Sequence, residues 1–417
     1  MRDNTPTENG DCPTTNLLVQ RLNKAVCLLF GAFAFCSAFS IAASQIAFGL
    51  SLIPFLALVF IERRRICPLP LKSVYFSVAL FIAWLFVSAA FSDAPLDSIL
   101  AIKEQWLFLI VPVGCYLAQD RQRIEQIVIP LGAGLLLASC YGLVQHFTGE
   151  SWFRERGLYV LGSGNFRLQG FFSHTLTYGN YLAVSIVFLL NYTYLAFGRL
   201  AGWKRLLLIS ALILGLIALA LTNGRGPAIA ALAGLLATGF ALRKMKYVLA
   251  GLALLAVLAA PGMIKRSENL NTINAKLVFG GDRLIIWENS FRMIQEHPLT
   301  GTGPGQFSTS YRKLVPDSIG SMPHSHNDLI NIATVAGLPG MVFFVSIWVA
   351  VLMSLWRKMR NTSRSQYGYI LPMAAFLASV TFLVSGLPEA TFADEEVRQL
   401  LMLIWGIGLS SRGATTA

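Results

Sequence analysis

Of 417 residues, 55% are hydrophobic and only 13% charged, and the formal net charge is +12. A soluble chain carries about 25% charged residues, so this composition excludes a single water-soluble core. The positive excess does not point to nucleic acid, because the basic residues gather in alternate loops between apolar runs instead of along one stripe.

Residues 1–20 are polar, with Pro, Thr and Asn, and are expected to form a disordered tail. Twelve apolar runs follow, at approximately 25–44, 46–61, 73–91, 99–118, 127–147, 178–198, 205–222, 226–242, 247–264, 328–355, 367–387 and 397–411. About 20 such residues cross a hydrocarbon layer about 30 Å thick. The expected fold is therefore all-α: a polytopic integral membrane protein of about 12 transmembrane helices, with eleven or thirteen left open by a short second run and a long tenth. The first run is too long for a signal-peptide core and reads as an uncleaved span. Spans 1–9 fill residues 21–264 with a short outer loop at 148–177, a large loop or cap occupies 265–325, and spans 10–12 with a short tail fill 326–417.

Arg63–Arg65 and Lys72, Arg121 and Arg123, Arg199, Lys204 and Arg205, Arg243, Lys244 and Lys246, and Arg357, Lys358, Arg360 and Arg364 occupy every second loop. The positive-inside rule assigns these loops and both termini to the cytoplasm. None of the six cysteines falls in an outer loop, so neither a disulfide framework nor a zinc site is expected.

The polar residues of the other face are few and concentrated. The shorter outer loop carries Arg154, Arg156, Arg167 and His174. Arg225 stands at the mouth of the eighth span in Asn223-Gly-Arg225-Gly-Pro227, where Pro227 suits a first helical turn. The long loop, of a length that is usually functional, contains an amphipathic stretch in which Leu284, Trp287, Phe291 and Ile294 recur among Arg283, Glu288, Arg292 and Glu296. Pro298 closes it, and Gly301-Thr-Gly303-Pro-Gly305 makes a tight turn. Each Arg can anchor at the interface or bind phosphate, to which guanidinium offers a planar fork. No Asp-x-Asp pair lies in an outer loop, so no metal holding a diphosphate is indicated. Asp394, Glu395 and Glu396 suit the N-terminus of the last helix, and Glu389 precedes them.

His324-Ser-His326-Asn327-Asp328 opens the tenth span. Ser325 and Asp328 approximate a capping box, which places His326 in the first helical turn. There the positive end of the macrodipole favours the neutral imidazole, the form a general base requires. His324, two residues earlier, does not share that face of a regular helix and is given a supporting role. The alternative is a set of interfacial capping residues.

The chain resembles the O-antigen ligases within the O-antigen ligase/polymerase group. Their hallmark of His, then Asn, Ser or Gln, nine residues, Gly, two residues and Gly, Thr or Tyr is matched by His326-Asn327 and Gly337-Leu-Pro-Gly340. A second element, Arg followed after three residues by Leu, is met by Arg225 with Ile229 in place of Leu. Asp282-Arg283 with Trp287, the Gly301–Phe307 turn and Arg167-Leu-Gln-Gly170-Phe-Phe-Ser-His174 are similar to the family's outer loops.

The resemblance implies a GT-C-type glycosyltransferase of the bacterial inner membrane, active on the periplasmic face in lipopolysaccharide biosynthesis and needing neither cofactor nor metal. It implies an undecaprenyl-diphosphate-linked glycan as donor and lipid A-core as acceptor, with membrane lipid around it and no nucleic acid. His326, Arg225 and Arg283 become the catalytic candidates, and Arg167, Arg156, His324, Asn327 and His174 the substrate- or diphosphate-binding ones. An O-antigen polymerase and a protein O-oligosaccharyltransferase share this chemistry with other acceptors. An anion or lipid-linked sugar transporter is the rival from another class. It is disfavoured because Lys103-Glu104 is the main charged pair inside a span and no internal repeat is evident.

Overall fold

A computed structural model describes residues 13–62, 71–153, 158, 166–246, 249, 281–316, 322–363 and 366–410. Its regular elements are helices, and ten of them among the described residues are long and apolar enough to cross a membrane. The chain is an all-α polytopic membrane protein.

The helices are α1 (Pro13–Cys36), α2 (Ile41–Ile61), α3 (Lys72–Ala90), α4 (Pro95–Ile102) and, after a 3-10 stretch at Lys103–Leu109, α5 (Ile110–Leu117). Then come α6 (Arg121–Thr148), α7 (Thr175–Ala196), α8 (Gly202–Leu221) and α9 (Arg225–Leu242). After residues that are not described come α10 (Gly281–Glu296), α11 (Phe307–Leu314), α12 (Asp328–Arg360), α13 (Tyr367–Ser385) and α14 (Glu395–Gly408).

Four expectations are corrected or lie out of reach. The N-terminal tail is shorter than expected, because α1 begins at Pro13. The fourth span is one crossing in three pieces, α4, the 3-10 stretch and α5. The twelfth is only the 14-residue α14, buried along almost its whole length between α5, α7 and α13. The ninth, 247–264, lies outside the described residues apart from Leu249.

α1 packs on α2 and α6, α6 on α8, α7 on α9 and α13, and α3 on α12. The start of α6 meets the turn between α7 and α8 at one end of the bundle. Arg121 donates to the Arg199 carbonyl there, and Glu125 accepts from Lys204 at 2.5 Å. The histidine loop, the starts of α7, α9 and α12 and the segment between α13 and α14 meet at the other end, called here the site face.

Candidate functional site

Asn327, not Ser325, caps α12. Its Oδ1 accepts from the Ile330 amide at 2.9 Å, and its Nδ2 donates to the Leu387 carbonyl at 2.8 Å. His326 therefore lies outside the helix, and the macrodipole argument for its first-turn position does not hold. Its φ of 54° is left-handed, a conformation that costs a non-glycine residue on the order of 1–3 kcal/mol.

Neighbouring contacts hold it there. Trp287 Nε1 donates to the Ser325 carbonyl at 2.9 Å, Ser325 Oγ to the Asn327 carbonyl at 2.9 Å, and the Asp328 amide to the Gly386 carbonyl at 2.8 Å. The last of these, with Phe392 N–H donating to Asp328 Oδ1 at 2.8 Å, straps the segment after α13 against the histidine loop.

The strap brings in a residue that the sequence reading did not assign to the site. Glu389, 8% exposed at its side chain, accepts from Arg283 Nη2 at 2.8 Å with one carboxylate oxygen and pairs with His326 Nδ1 through the other. A carboxylate only accepts, so Nδ1 carries the proton and Nε2 is left as the basic nitrogen. Burial alone raises the Glu389 carboxyl, but the His326 hydrogen bond and the charges of His326 and Arg283 bring it below the usual range. His324, expected to face elsewhere, is part of the same group: its ring lies edge-on to that of His326, 4.6 Å between centroids, and its Nδ1 accepts from the His326 amide at 3.3 Å. Burial first, then the neighbouring charge of His326, pushes it down to about 4.

The shorter outer loop reaches this cluster. His174 caps α7, accepting from the Leu176 amide at 3.2 Å. Burial lowers its pKa, Glu389 acts upward, and Arg167, His326 and Arg283 act downward. Arg167 Nε donates to the Thr222 carbonyl at 2.7 Å, which ties this loop to the turn before α9. Arg225 opens α9 as expected, and its neighbour Gly226 approaches Pro388, where a Cβ would stand 3.2 Å from the proline ring. Arg156 lies outside the described residues.

The glycines of the histidine motif do structural work. Gly337 (φ 70°, ψ 177°) breaks α12 and frees carbonyls of its first half. The Thr302 and Gly303 amides take those of Thr334 and Val335 at 2.9 and 3.0 Å, and Trp84 Nε1 takes that of Ala336 at 2.8 Å. A Cβ on Gly337 would lie 1.9 Å from the Leu299 carbonyl oxygen, and one on Gly340 would lie 2.4 Å from Ala336 Cβ. The motif thus clamps the cap to the bundle and holds the histidine loop at the end of α12. In α10 Ile294 is buried and Leu284 and Trp287 half-buried as the spacing predicts, but Phe291 is exposed, and Ile286, Asn289, Ser290 and Met293 extend the buried face.

Ligand atoms of His324, His326 and Glu389 lie within 4.8 Å of one another, as a metal site requires. The same carboxylate is already paired with Arg283, whose fixed positive charge opposes a divalent cation there.

Fold and site together define a polytopic helical membrane protein with a histidine–carboxylate–arginine chain at one end of its bundle. Residues 210–345 match the family model described as O-antigen ligase, which supports the resemblance to that superfamily. The matched segment holds Arg225, Arg283, His324, His326 and Asn327, and ends before Glu389. No curated protein was found to match the chain.

Proposed function

We propose that the protein transfers O-antigen glycan en bloc from undecaprenyl diphosphate to a sugar hydroxyl of lipid A-core, on the periplasmic face of the bacterial inner membrane. The observation that carries this reading is the His326–Glu389–Arg283 chain, at the end of the bundle away from the basic cluster of Arg121 and Lys204 around Glu125. The positive-inside rule assigns that end to the periplasm.

In this mechanism His326 Nε2 takes the proton of the acceptor hydroxyl as its oxygen attacks the anomeric carbon. The bond from that carbon to the diphosphate oxygen breaks, and undecaprenyl diphosphate leaves with the electron pair. Arg225 and Arg283, with Arg167 or Arg156, stabilise the charge that builds on the leaving group. Glu389 holds the imidazole in one tautomer and stabilises the imidazolium that forms, the role of the third group in a nucleophile–base–orienter arrangement. Direct attack inverts the anomeric centre, and the step needs no metal because arginines neutralise the diphosphate.

The test is reconstitution of the purified chain with polyprenyl-diphosphate glycan and lipid A-core in the presence of EDTA. Glycan-bearing lipid with wild type and none with His326→Ala is the expected result. Longer polyprenyl-linked chains from donor alone would make the protein a polymerase. Product that disappears with EDTA and returns with a divalent ion would overturn the metal-free step.

A further inference from the structure

The cap and the bundle leave a polar opening between them. A cavity of about 280 Å³ lies where the α3–α4 turn faces the end of α10, the Gly301–Thr302 turn and α11. Phe91, Met293 and Leu314 give it an apolar side, and Glu296, His297 and Ser310 a polar one. An ion pair between Asp93 and Lys313 at 2.7 Å closes one edge. Among the described residues, the Glu296 carboxylate, the His297 ring and the Ser310 hydroxyl have no hydrogen-bond partner.

The clamp that holds the histidine loop also shapes this cavity. The Gly301 amide takes the His297 carbonyl at 3.0 Å, the Thr302 amide that of Thr334 at 2.9 Å, and the Leu338 amide that of Pro298 at 2.9 Å. One helix then joins the cavity to the site. Near the start of α10, Trp287 Nε1 donates to the Ser325 carbonyl, and near its end Met293 and Glu296 form cavity wall. At 1.5 Å per residue these wall residues stand roughly 15–20 Å along the helix from Arg283. A ligand here is too distant to react, yet within reach of the same extended chain.

The lining selects the chemistry of that ligand. Lys313, the cation of the lining, is committed to Asp93, and the Glu296 carboxylate repels a phosphate or an acid. A carboxylate only accepts hydrogen bonds, so Glu296 calls for a donor such as a hydroxyl. His297 and Ser310 can donate or accept beside it. Phe91, 73% exposed, adds an open aromatic surface. The volume, just under the roughly 300–1,000 Å³ of pockets for drug-sized molecules, fits one small ring. A sugar has this combination, with hydroxyls around its edge and C–H groups on its faces.

We propose that this cavity binds one uncharged pyranose ring of a glycan substrate, a few rings from the sugar that reacts. The proposal rests on the reading of the protein as a glycan transferase. The cap then reads sugar as well as supporting the histidine loop. Donor glycan and acceptor core both contain such rings, and two probes separate them.

Binding to the purified full-length chain is measured with the O-glycan released from its diphosphate lipid and with the core oligosaccharide released from lipid A. One of them should bind. Glu296→Gln should weaken it by at least about tenfold, the usual effect of losing a hydrogen bond to a charged group. Ser310→Trp fills the cavity and should abolish it. Glu296 is exposed and Ser310 half-buried, so both variants should fold. Arg292→Gln, on the same helix but outside the cavity, should bind as wild type does. In transfer assays Glu296→Gln should raise the KM of the bound substrate by a similar factor, with the KM of the other within twofold. Binding of the core assigns the cavity to the acceptor, and binding of the O-glycan assigns it to the donor. Binding of neither, or undiminished binding in both folded variants, would overturn the proposal. The ligase reading fails separately: no product in the reconstitution, with saccharide binding still lost in Ser310→Trp, would remove that reading and leave the sugar site.

Discussion

Two carboxylates with little exposure, one at each end of the bundle, are built alike and differ in one partner. Glu125, 11% exposed, sits between Arg121 at 3.0 Å and Lys204 at 2.5 Å and joins the start of α6 to the start of α8. Glu389, 8% exposed, sits between Arg283 at 2.8 Å and the His326 imidazole and joins α10 to the loop before α12. Both link segments far apart in sequence. At the first end both partners are permanent cations, so the cluster can only hold structure. At the second, one partner can give up and regain a proton, and its other ring nitrogen is not committed to the carboxylate. The difference between a fastener and a candidate catalytic chain is one imidazole.

The largest test of this contrast is His326 itself. His326→Ala should lower transfer by about 10²–10⁴-fold, the usual contribution of a general base, with donor binding retained. His326→Gln should restore little, because an amide keeps a hydrogen bond without basicity. Glu389→Gln comes next. Losing a charged hydrogen-bond partner is worth about 1.5–3 kcal/mol, roughly ten- to hundredfold in kcat, with the donor KM little changed and partial recovery in Glu389→Asp. Equal loss in kcat from Glu125→Gln, measured on folded protein, would erase the distinction between the two ends; the expected result there is a lower melting temperature and kcat within twofold.

Arg225→Lys keeps the charge and removes the planar fork, so the donor KM should rise by about tenfold. An unchanged KM would count against bidentate diphosphate binding.

The smallest effect concerns His324, whose pKa is held near 4 in the fold against an ordinary value of 6.5. Between these values the unfolded chain binds a proton that the folded one does not. Stability should therefore fall as pH drops from 6.5 towards 4. His324→Phe should flatten that part of a melting-temperature profile, and an unaltered slope would assign the acid sensitivity elsewhere.

Much of the bundle was legible because apolar runs and basic loops are local signals. The polar end was legible only in part. His326 and Asn327 announced themselves by position and Arg225 by its helix mouth, while Arg283 stood out through the resemblance of its loop to the family's. The conformation of His326 did not: Asn327 rather than Ser325 won the cap, which displaced the histidine into a left-handed turn. Glu389 carried no signal of its own, since an acidic residue shortly before a helix is well explained by the dipole alone. The burial of α14 on all sides also escaped the apolar pattern, because a fully surrounded helix and a lipid-facing one can have the same composition.

By itself the sequence determined that this is a many-helix membrane protein whose basic residues fall in alternate loops along the chain. These follow from hydrophobic length and charge, which act on each segment separately. Only the tertiary structure decided that Glu389, 63 residues beyond His326, completes the site, and that Gly337 and Gly340 serve to clamp cap and bundle together. Those outcomes depend on which freed carbonyls and buried charges find partners across the fold, and a partner's identity is not written in the residues adjacent to it.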